Sequence, residues 1–182
     1  MRVHPPPRTH TFLTTLCSDI KPANILLNAD GRALVADFGV ARIVRTTGGG
    51  GRSTAGGGAR GTAGYMALEV CNGAKANELS DIFSLGVLMA ELVTGIAPFA
   101  HLDNDLAIGK AMDRGERPLL PSLDASDVAT CAIVELICTM WAADPLTRPE
   151  AADVYGAIVR AESAMRTAAH EVCRVSTALA PK

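Results

Sequence analysis

The chain contains 182 residues, with 17 Lys and Arg against 19 Asp and Glu, which gives a formal net charge of −2. Such a length is typical of one domain or of one and a half. The near-neutral charge excludes both the basic field of a nucleic-acid-binding protein and an acidic tail. No apolar run approaches the roughly 18 residues of a membrane-spanning helix, so we expect neither a nucleic-acid nor a membrane partner.

Cysteines and histidines carry no recognisable pattern of ligands or crosslinks. The five cysteines are odd in number and form no C-x-x-C, and the four histidines are scattered. This usage favours reduced thiols over a disulfide framework, and it gives no zinc site. Because reduced thiols are typical of the cytoplasm, we expect a cytoplasmic protein.

The first part of the chain alternates irregular segments with one hairpin. Residues 1–12 are rich in Pro, Thr and His and predict an irregular head. Two short apolar runs, 25–27 and 33–36, flank an Asp-Gly turn, which predicts a β-hairpin because Gly supplies the positive φ of a tight turn. Residues 46–61 are so rich in glycine that we predict a mobile loop.

The remainder of the chain has helical spacing. Residues 78–95 are apolar almost all round, which predicts a helix at the centre of the core that ends at Gly95. A shorter amphipathic helix is predicted at 104–114. Residues 126–141 predict another helix, with one apolar face formed by Val128, Val134, Ile137, Met140 and Trp141. A last helix is predicted from a capping box at 147–150. The sequence therefore predicts a mainly α-helical α+β domain.

Polar residues flank the predicted hairpin at both ends. Asp19, Lys21 and Asn24 precede it, and Asp37 follows it. Phosphoryl transfer from ATP needs a carboxylate for the attacking hydroxyl, a cation for the transferred group, and oxygen ligands for Mg²⁺. Since the two strands run out and back, all four residues can meet, with Asp19 as base, Lys21 as phosphate cation, and Asn24 and Asp37 as Mg²⁺ ligands.

In their order and spacing these motifs resemble the C-terminal lobe of a eukaryotic protein kinase, over about residues 16–165. Segment 61–69 resembles the end of the activation segment, and segment 80–87 resembles the start of the central helix. Segment 141–149 resembles the approach to the final helix. The combination of Lys21 with Thr62 is the serine/threonine pattern, in a style close to tyrosine-kinase-like enzymes.

The resemblance implies a protein-kinase-like fold, use of ATP and Mg²⁺, and a protein substrate phosphorylated on Ser or Thr. After the irregular head at 1–12, it implies a partial kinase domain at 13–170 with its activation segment at 37–69, followed by a tail at 171–182. It also implies roles for individual residues. The Thr62 hydroxyl bridges Asp19 and Lys21, and the Asp81 carboxylate fastens the catalytic-loop backbone. The remaining structural residues are Phe38 and Gly39 beside Asp37, and the buried pair of Glu69 with Arg148.

Three departures from the family pattern stand out. Cys17 and Ser18 replace the usual His-Arg before the aspartate, so an activation-loop phosphate lacks its usual arginine. Leu68 replaces the usual proline of the Ala-Pro-Glu motif. Nothing upstream resembles an N-terminal lobe or the helix that covers the central helix, so we expect residues 82–93 to expose apolar surface that favours a partner. The G-x-G-x-x-G at 56–61 follows the catalytic aspartate, so it is interpreted as flexible glycine rather than as a nucleotide loop.

Two functions remain open from the sequence. The chain is either part of an active serine/threonine kinase, including a truncated gene product, or a non-catalytic, pseudokinase-like binding module. Individual residues also have plainer interpretations, such as a solvated carboxylate for Asp19 and a helix N-cap for Asp81, with Ser80 competing for that position. For the 182-residue chain alone we expect negligible kinase activity.

Overall fold

The computed structural model describes residues 15–17, 19–36, 42–43, 63–122 and 127–178. Three predicted features therefore lie outside the described residues, namely the head at 1–12, the segment 37–39 and the glycine-rich stretch 46–61. The statements below concern the described residues.

Four short strands form two antiparallel pairs. Strand β1 (Thr15–Leu16) pairs with β4 (Arg42–Ile43), and β2 (Ile25–Leu27) pairs with β3 (Ala33–Val35). The second pair is the predicted hairpin. Gly31 has a φ of 75°, and the Asn28 side chain accepts hydrogen bonds from the backbone N–H groups of Asp30 and Arg32. The Asp-Gly turn therefore closes the hairpin as predicted.

Five helices follow in the chain. They are α1 (Leu68–Cys71), α2 (Glu78–Thr94), α3 (Asp105–Asp113), α4 (Val128–Met140) and α5 (Ala151–Ala178). The predictions of α2, α3 and α4 are confirmed, whereas the single turn of α1 was not predicted. Asn77 caps α2 in a reciprocal capping box with Ser80, and Gly95 ends it with a φ of 68°. The N-cap interpretation of Asp81 is therefore wrong, because Asp81 lies in the first turn.

The predicted capping box of the last helix is also wrong. Thr147 ends a 3₁₀ turn (Pro145–Thr147), and its hydroxyl donates to the Asp144 carbonyl rather than capping α5. Arg148 is extended, with a φ of −72° and a ψ of 145°. A residue before proline is held out of the helical region by the proline ring, so Pro149 delays the helix until Ala151.

Helix α2 lies at the centre of the core, as predicted. Three residues of α2, Phe83, Val87 and Ala90, lie in one apolar cluster. The cluster also contains Ile108 and Met112 of α3, Ile137 of α4, and Trp141 directly after α4. Ile82 joins Met140 and Val154 in a second cluster on the α5 side. The helix is thus surrounded by apolar side chains over most of its circumference.

Val128 was predicted on the apolar face of α4, but it is 70% exposed. At 100° per residue it lies about 120° to 180° around the helix from Val134 and Ile137, which are buried. Leu92 and Val93, near the end of α2, are 73% and 40% exposed. The apolar exposure expected over residues 82–93 is thus confined to the end of α2, and the expectation is wrong for Ile82, Phe83, Val87 and Leu88, which are buried. Among the helices of the described residues, none is both long enough and apolar enough to cross a membrane.

Candidate functional site

The segment from Cys17 to Asn24, the predicted catalytic loop, brings three of the predicted site residues into contact. A 3₁₀ turn (Pro22–Asn24) folds the chain back, so that the Asn24 amide nitrogen donates to the Asp19 carbonyl at 2.8 Å and to Asp19 Oδ2 at 2.9 Å. Lys21 Nζ lies 2.6 Å from the same Oδ2. Pro22 favours this turn, since its fixed φ suits the first helical position.

The Asp19 carboxylate is therefore held through one of its two oxygens. Both Lys21 and Asn24 contact Oδ2, and no donor among the described residues contacts Oδ1. The side chains of Asp19 and Lys21 are each 20% exposed, so part of each reaches solvent. Among the described residues, Oδ1 is therefore the oxygen left to accept a proton or a hydrogen bond from outside.

Asn24 also joins the catalytic loop to the hairpin. Its carbonyl accepts a hydrogen bond of 2.7 Å from the backbone N–H of Ala36, immediately before the predicted ligand Asp37. Asn24 itself is buried, with 7% of its surface exposed. The Asn24 side chain is therefore held by Asp19, and its backbone is held by the residue that follows β3.

Helix α2 holds the beginning of the catalytic loop through Asp81. Its carboxylate accepts a hydrogen bond of 2.8 Å from the backbone N–H of Cys17, across 64 positions of sequence. The Cys17 side chain is buried, at 8% exposure. A carboxylate in the first turn of a helix is favoured by the helix dipole, which stabilises the charge that Asp81 uses to hold the loop.

Glu69 and Arg148 form the ion pair that the resemblance implies. Two parallel contacts join them, Arg148 Nη1 to Glu69 Oε1 at 2.7 Å and Nη2 to Oε2 at 3.0 Å. The Arg148 side chain is only 1% exposed, and its other donors bind the carbonyls of Leu79 and Ala142. Burial opposes ionisation of Glu69, but the hydrogen bonds from Arg148 outweigh it, so that the pKa of Glu69 lies below its usual value.

Two arginine guanidinium groups lie near the aromatic ring of Phe83, and the sequence analysis missed one of them. The guanidinium carbons of Arg148 and Arg117 lie 5.0 and 5.9 Å from the ring centroid. Arg117 also donates to the carbonyls of Trp141 and Glu116. Burial and the neighbouring Arg148 both lower the pKa of Arg117. Arg117 precedes a proline in a segment without periodicity, so no sequence pattern predicted its contact with Phe83.

Tyr65 was also missed, although it lies within segment 61–69. It lies in a 3₁₀ turn (Ala63–Tyr65), and its hydroxyl donates to Glu91 of α2 at 2.5 Å. Burial and the Glu91 carboxylate raise the pKa of the Tyr65 phenol. A cavity of about 20 Å³, enough for a single water molecule, lies between Asp19, Tyr65, Ser80 and Asp81. The turn that carries Tyr65 therefore adjoins the catalytic loop.

Four predicted site residues cannot be placed. Thr62, Asp37, Phe38 and Gly39 lie outside the described residues, as does Ser18. Asp19, Lys21 and Asn24 are together, while Asp81 and the pair of Glu69 with Arg148 support the segments around them. The roles of all these residues remain predictions, and the domain boundaries drawn at 12 and 170 do as well.

Relatives of the chain are protein kinases of several lineages. It is 38% identical to "Receptor-like protein kinase 5" of Arabidopsis thaliana over 140 residues, which are 72% of this chain and 14% of that protein. It is 31% identical to "Serine/threonine-protein kinase pkn3" of Myxococcus xanthus, over 79% of this chain and 27% of that protein. With "Mitogen-activated protein kinase kinase kinase 7" of Drosophila melanogaster it shares 34% identity, over 76% of this chain and 19% of that protein.

The chain thus spans between 14% and 27% of the length of these three curated relatives. The family model described as "Protein kinase domain" matches residues 14–158, which include the catalytic loop, the hairpin and the helices through the start of α5. The mainly helical architecture agrees with this match. The chain belongs to the protein kinase family.

Proposed function

We propose that this chain forms the catalytic-loop part of a protein serine/threonine kinase, which transfers the γ-phosphoryl group of ATP to Ser or Thr hydroxyls of a protein when an N-terminal lobe is present. One observation carries the proposal. Lys21 and Asn24 both hold the Asp19 carboxylate by Oδ2, and among the described residues no donor binds Oδ1. The serine/threonine kinases among the relatives support the same class of reaction.

In this proposal Asp19 orients the attacking hydroxyl. Its other oxygen, Oδ1, accepts the hydrogen bond of the hydroxyl and then its proton, while the oxygen bound by Lys21 and Asn24 keeps the carboxylate in place. Lys21 adds a positive charge beside the reacting group. Because phosphoryl transfer depends mainly on positioning and on electrostatic stabilisation, a fixed carboxylate and a nearby cation are the contributions expected of this loop.

The described residues fit the Mg²⁺ site in part. Because the Asn24 amide nitrogen is bound to Asp19, its oxygen is left to act as a ligand, and carboxylate and amide oxygens are the ligands that Mg²⁺ prefers. Asp37, the second proposed ligand, lies outside the described residues. When bound, ATP supplies the phosphoryl group and Mg²⁺ offsets the charge of its phosphates. Asn24 is proposed to hold the ion, and its backbone bond to Ala36 keeps it in position.

The substrate is proposed to lie along the segment that carries Tyr65. The turn Ala63–Tyr65 borders the cavity beside Asp19, and it is held to α2 by the hydrogen bond from Tyr65 to Glu91. Thr62 would bridge Asp19 and Lys21 directly before this turn. The Glu69–Arg148 pair fixes the far end of the same segment. We also propose a cytoplasmic location, where MgATP and reduced cysteines are both found.

To test this function, residues 14–158 replace the matching segment of the Arabidopsis receptor-like kinase, and transfer of phosphate to a generic Ser/Thr substrate is measured. We expect phosphorylation well above that of the 182-residue chain alone, whose activity we expect to be negligible. Asp19→Asn in the chimera is expected to lower the rate by about 10² to 10⁴, the usual contribution of a positioned base. Asp30→Asn, in the exposed hairpin turn, is the matched control and leaves the rate unchanged. A folded chimera no faster than its Asp19→Asn variant contradicts the proposal.

A second candidate, a non-catalytic binding module, is favoured by the exposed apolar surface. Leu26, Leu27 and Leu34 of the hairpin are 56%, 73% and 52% exposed, and Leu92 of α2 is 73% exposed. Such surface is expected to bind a partner. Thermal unfolding with and without MgATP separates the two candidates. Stabilisation by the nucleotide together with substrate phosphorylation excludes the binding module, whereas the absence of both in the folded chimera supports it.

A further inference from the structure

Arg117 binds the ends of two helices, although it belongs to neither of them. It lies after α3 and before α4, and it is half-buried. Its Nε donates at 3.1 Å to the carbonyl of Trp141, directly after α4, and its Nη1 donates at 3.5 Å to the carbonyl of Met112 in the last turn of α3. The same Nη1 donates to the Glu116 carbonyl at 2.8 Å. Because carbonyls at the end of a helix carry partial negative charge, both helices favour a cation at this place.

Arg117 and Arg148 hold neighbouring carbonyls of the chain. Nε of Arg117 binds the carbonyl of Trp141, and Nε of Arg148 binds the carbonyl of Ala142 at 3.0 Å. Both guanidinium groups lie near the ring of Phe83, which is almost completely buried. Because the peptide unit that joins the two carbonyl-bearing residues is planar and rigid, a movement of the first carbonyl is passed to the second residue.

Of these two arginines, only Arg148 has a carboxylate partner among the described residues. That partner is Glu69, which it meets in two parallel contacts of 2.7 and 3.0 Å. The contacts of Arg117 are with carbonyls and with the ring of Phe83. Burial and the charge of Arg148 both oppose the charge of Arg117 and lower its pKa. A neutral side chain of similar size would avoid this opposition, so filling space does not explain an arginine at position 117.

We propose that Arg117 is a positioning residue for the segment that binds the protein substrate, and that it acts through Arg148 and Glu69. By holding the end of α4, it keeps Arg148 oriented so that both Nη atoms meet the two oxygens of Glu69. A bidentate contact requires two planar groups to be aligned, so a rotation of Arg148 breaks one of its two bonds.

The effect reaches the substrate because Glu69 lies in α1, at the end of the segment 63–71 that carries Tyr65. This role of Arg117 rests on the proposed function, in which the substrate lies along that segment. Arg117 itself touches neither the substrate nor Asp19 in this proposal. Its loss is therefore expected to weaken binding of the protein substrate and to leave the reacting groups in place.

NMR titration of the Glu69 carboxyl group in the full 182-residue chain tests the link between Arg117 and the ion pair. Burial raises the pKa of Glu69, but the hydrogen bonds from Arg148 hold it below its ordinary value of 4.5. Arg117→Met should bring that pKa back towards 4.5, because a rotated Arg148 loses part of its contact. Arg117→Lys should do the same, since lysine keeps the charge but lacks the planar fork that spans two carbonyls.

Arg114 provides the matched control. It lies three positions before Arg117, and its exposed side chain pairs with Glu116. Arg114→Met removes an arginine from the same segment and should leave the pKa of Glu69 unchanged. Circular dichroism confirms that each variant is folded, and Arg117→Lys, the milder change, decides by itself if Arg117→Met does not fold. A general loss of stability does not alter the pKa of a carboxyl group in the folded state, so this readout is specific to the contact with Arg148.

Kinetics of the chimera that carries residues 14–158 in the Arabidopsis receptor-like kinase test the consequence for the substrate. Arg117→Lys should raise KM for the protein substrate at least about fivefold, while kcat and KM for ATP stay within about twofold, because the lost interaction serves binding rather than the reacting groups. Arg114→Met should leave all three constants within about twofold of the unsubstituted chimera.

The two measurements distinguish failure of this role from failure of the proposed function. A pKa of Glu69 that is the same with and without Arg117 overturns the role, and so does an active chimera whose KM for the protein substrate is unchanged in Arg117→Lys. A rise of KM for ATP equal to that for the protein substrate overturns it as well. A chimera without activity that depends on Asp19 contradicts the proposed function itself, and the role of Arg117 in substrate binding fails with it, even where the pKa of Glu69 rises.

Discussion

The first residue of helix α1 is Leu68, at a position where a proline would fit without strain. Ala67 before it is extended, with a φ of −63° and a ψ of 141°, which is the region that a following proline requires. Leu68 packs against the core, so removal of its side chain lowers the free energy of unfolding by itself. Leu68→Ala measures that loss and is the reference for the proline variant. We expect Leu68→Pro to be more stable than Leu68→Ala by about 0.4–1 kcal/mol, because proline restricts the unfolded chain. Urea unfolding of both variants checks this, and equal stability contradicts it.

Arg148 and Arg166 each pair with a glutamate, but only one of the two pairs is buried. Arg148 is 1% exposed in its side chain, and Arg166 is 76% exposed. Arg148→Met is expected to cost about 3–5 kcal/mol, since it leaves Glu69 without its partner. Arg166→Met, the matched control, should change the free energy of unfolding by less than about 0.5 kcal/mol.

Acid gives an independent measure of the same ion pair. The pKa of Glu69 is lower in the folded protein than its ordinary value of 4.5. The ion pair therefore makes its full contribution to the free energy of unfolding above pH 4.5, and it loses that contribution as the pH falls through the pKa of the folded state. The difference in stability between the wild type and Arg148→Met should therefore shrink below pH 4.5. A difference that is constant between pH 7 and pH 3 would show that the pair does not carry it.

At the scale of elements, Gly86 sets the distance between α2 and α4. A Cβ built on Gly86 would lie 2.9 Å from the Cβ of Met140, whereas one on Gly109 in α3 would meet nothing within 4 Å. Gly86→Ala should therefore cost about 1–3 kcal/mol through overpacking, although alanine is the better helix former. Gly109→Ala should gain about 0.5–1 kcal/mol. Thermal unfolding of both variants decides, and a stabilising Gly86→Ala would contradict the close approach of the helices.

Tyr65 connects the turn Ala63–Tyr65 to α2, and its ionisation makes this connection sensitive to alkali. Tyr65→Phe removes the hydrogen bond to Glu91 and should cost about 1 kcal/mol at pH 7. Because burial and Glu91 raise the pKa of Tyr65, ionisation of this tyrosine above pH 10.0 favours the unfolded chain. The advantage of the wild type over Tyr65→Phe should therefore fade as the pH rises above 10.0. Tyr155→Phe, at a residue 72% exposed, should show neither effect.

Elements with local signals could be predicted, and those that depend on distant partners could not. Helix α2 has Gly95 at its end and an apolar sequence, and the hairpin has its Asp-Gly turn. The pair of β1 with β4 joins residues 15–16 to 42–43 through two-residue strands, too short for any periodicity. The start of α5 was misplaced because a capping-box pattern at Thr147 competes with the restriction that Pro149 imposes on Arg148.

At the scale of the whole molecule, the described residues expose apolar surface at the C-terminal end of the central helix α2. Leu88 and Leu92 lie one turn apart on α2, yet Leu88 is 5% exposed and Leu92 is 73% exposed. Leu88→Gln should cost more than about 3 kcal/mol, because it buries an amide without partners. Leu92→Gln should stay within about 0.5 kcal/mol. Urea unfolding of the two variants makes the comparison, and an equal loss at both positions would show that Leu92 is covered in solution.

Some contacts of the candidate site could be predicted from the sequence, and others could not. Asp19, Lys21 and Asn24 lie within six positions of sequence, so local spacing nearly determines their contact. Glu69 and Arg148 are 79 positions apart, and only the resemblance to the family brought them together. Arg117 lies near the ring of Phe83, and Tyr65 binds Glu91. The positions of Phe83 and Glu91 depend on how the helices pack. Such contacts follow from tertiary structure, and no local pattern encodes them.

The length of chain between Glu69 and Arg148 has a consequence for biosynthesis. A ribosome adds about 5–20 residues each second, so Arg148 is made roughly 4–16 s after Glu69, from which it is separated by 79 positions. Throughout that interval the carboxylate of Glu69 and the carbonyl of Leu79 lack the guanidinium that binds both of them. Until Arg148 is synthesised, the polar groups of the nascent segment around Glu69 must bind water or chaperones instead. The ion pair, and the packing that depends on it, can therefore form only late in translation.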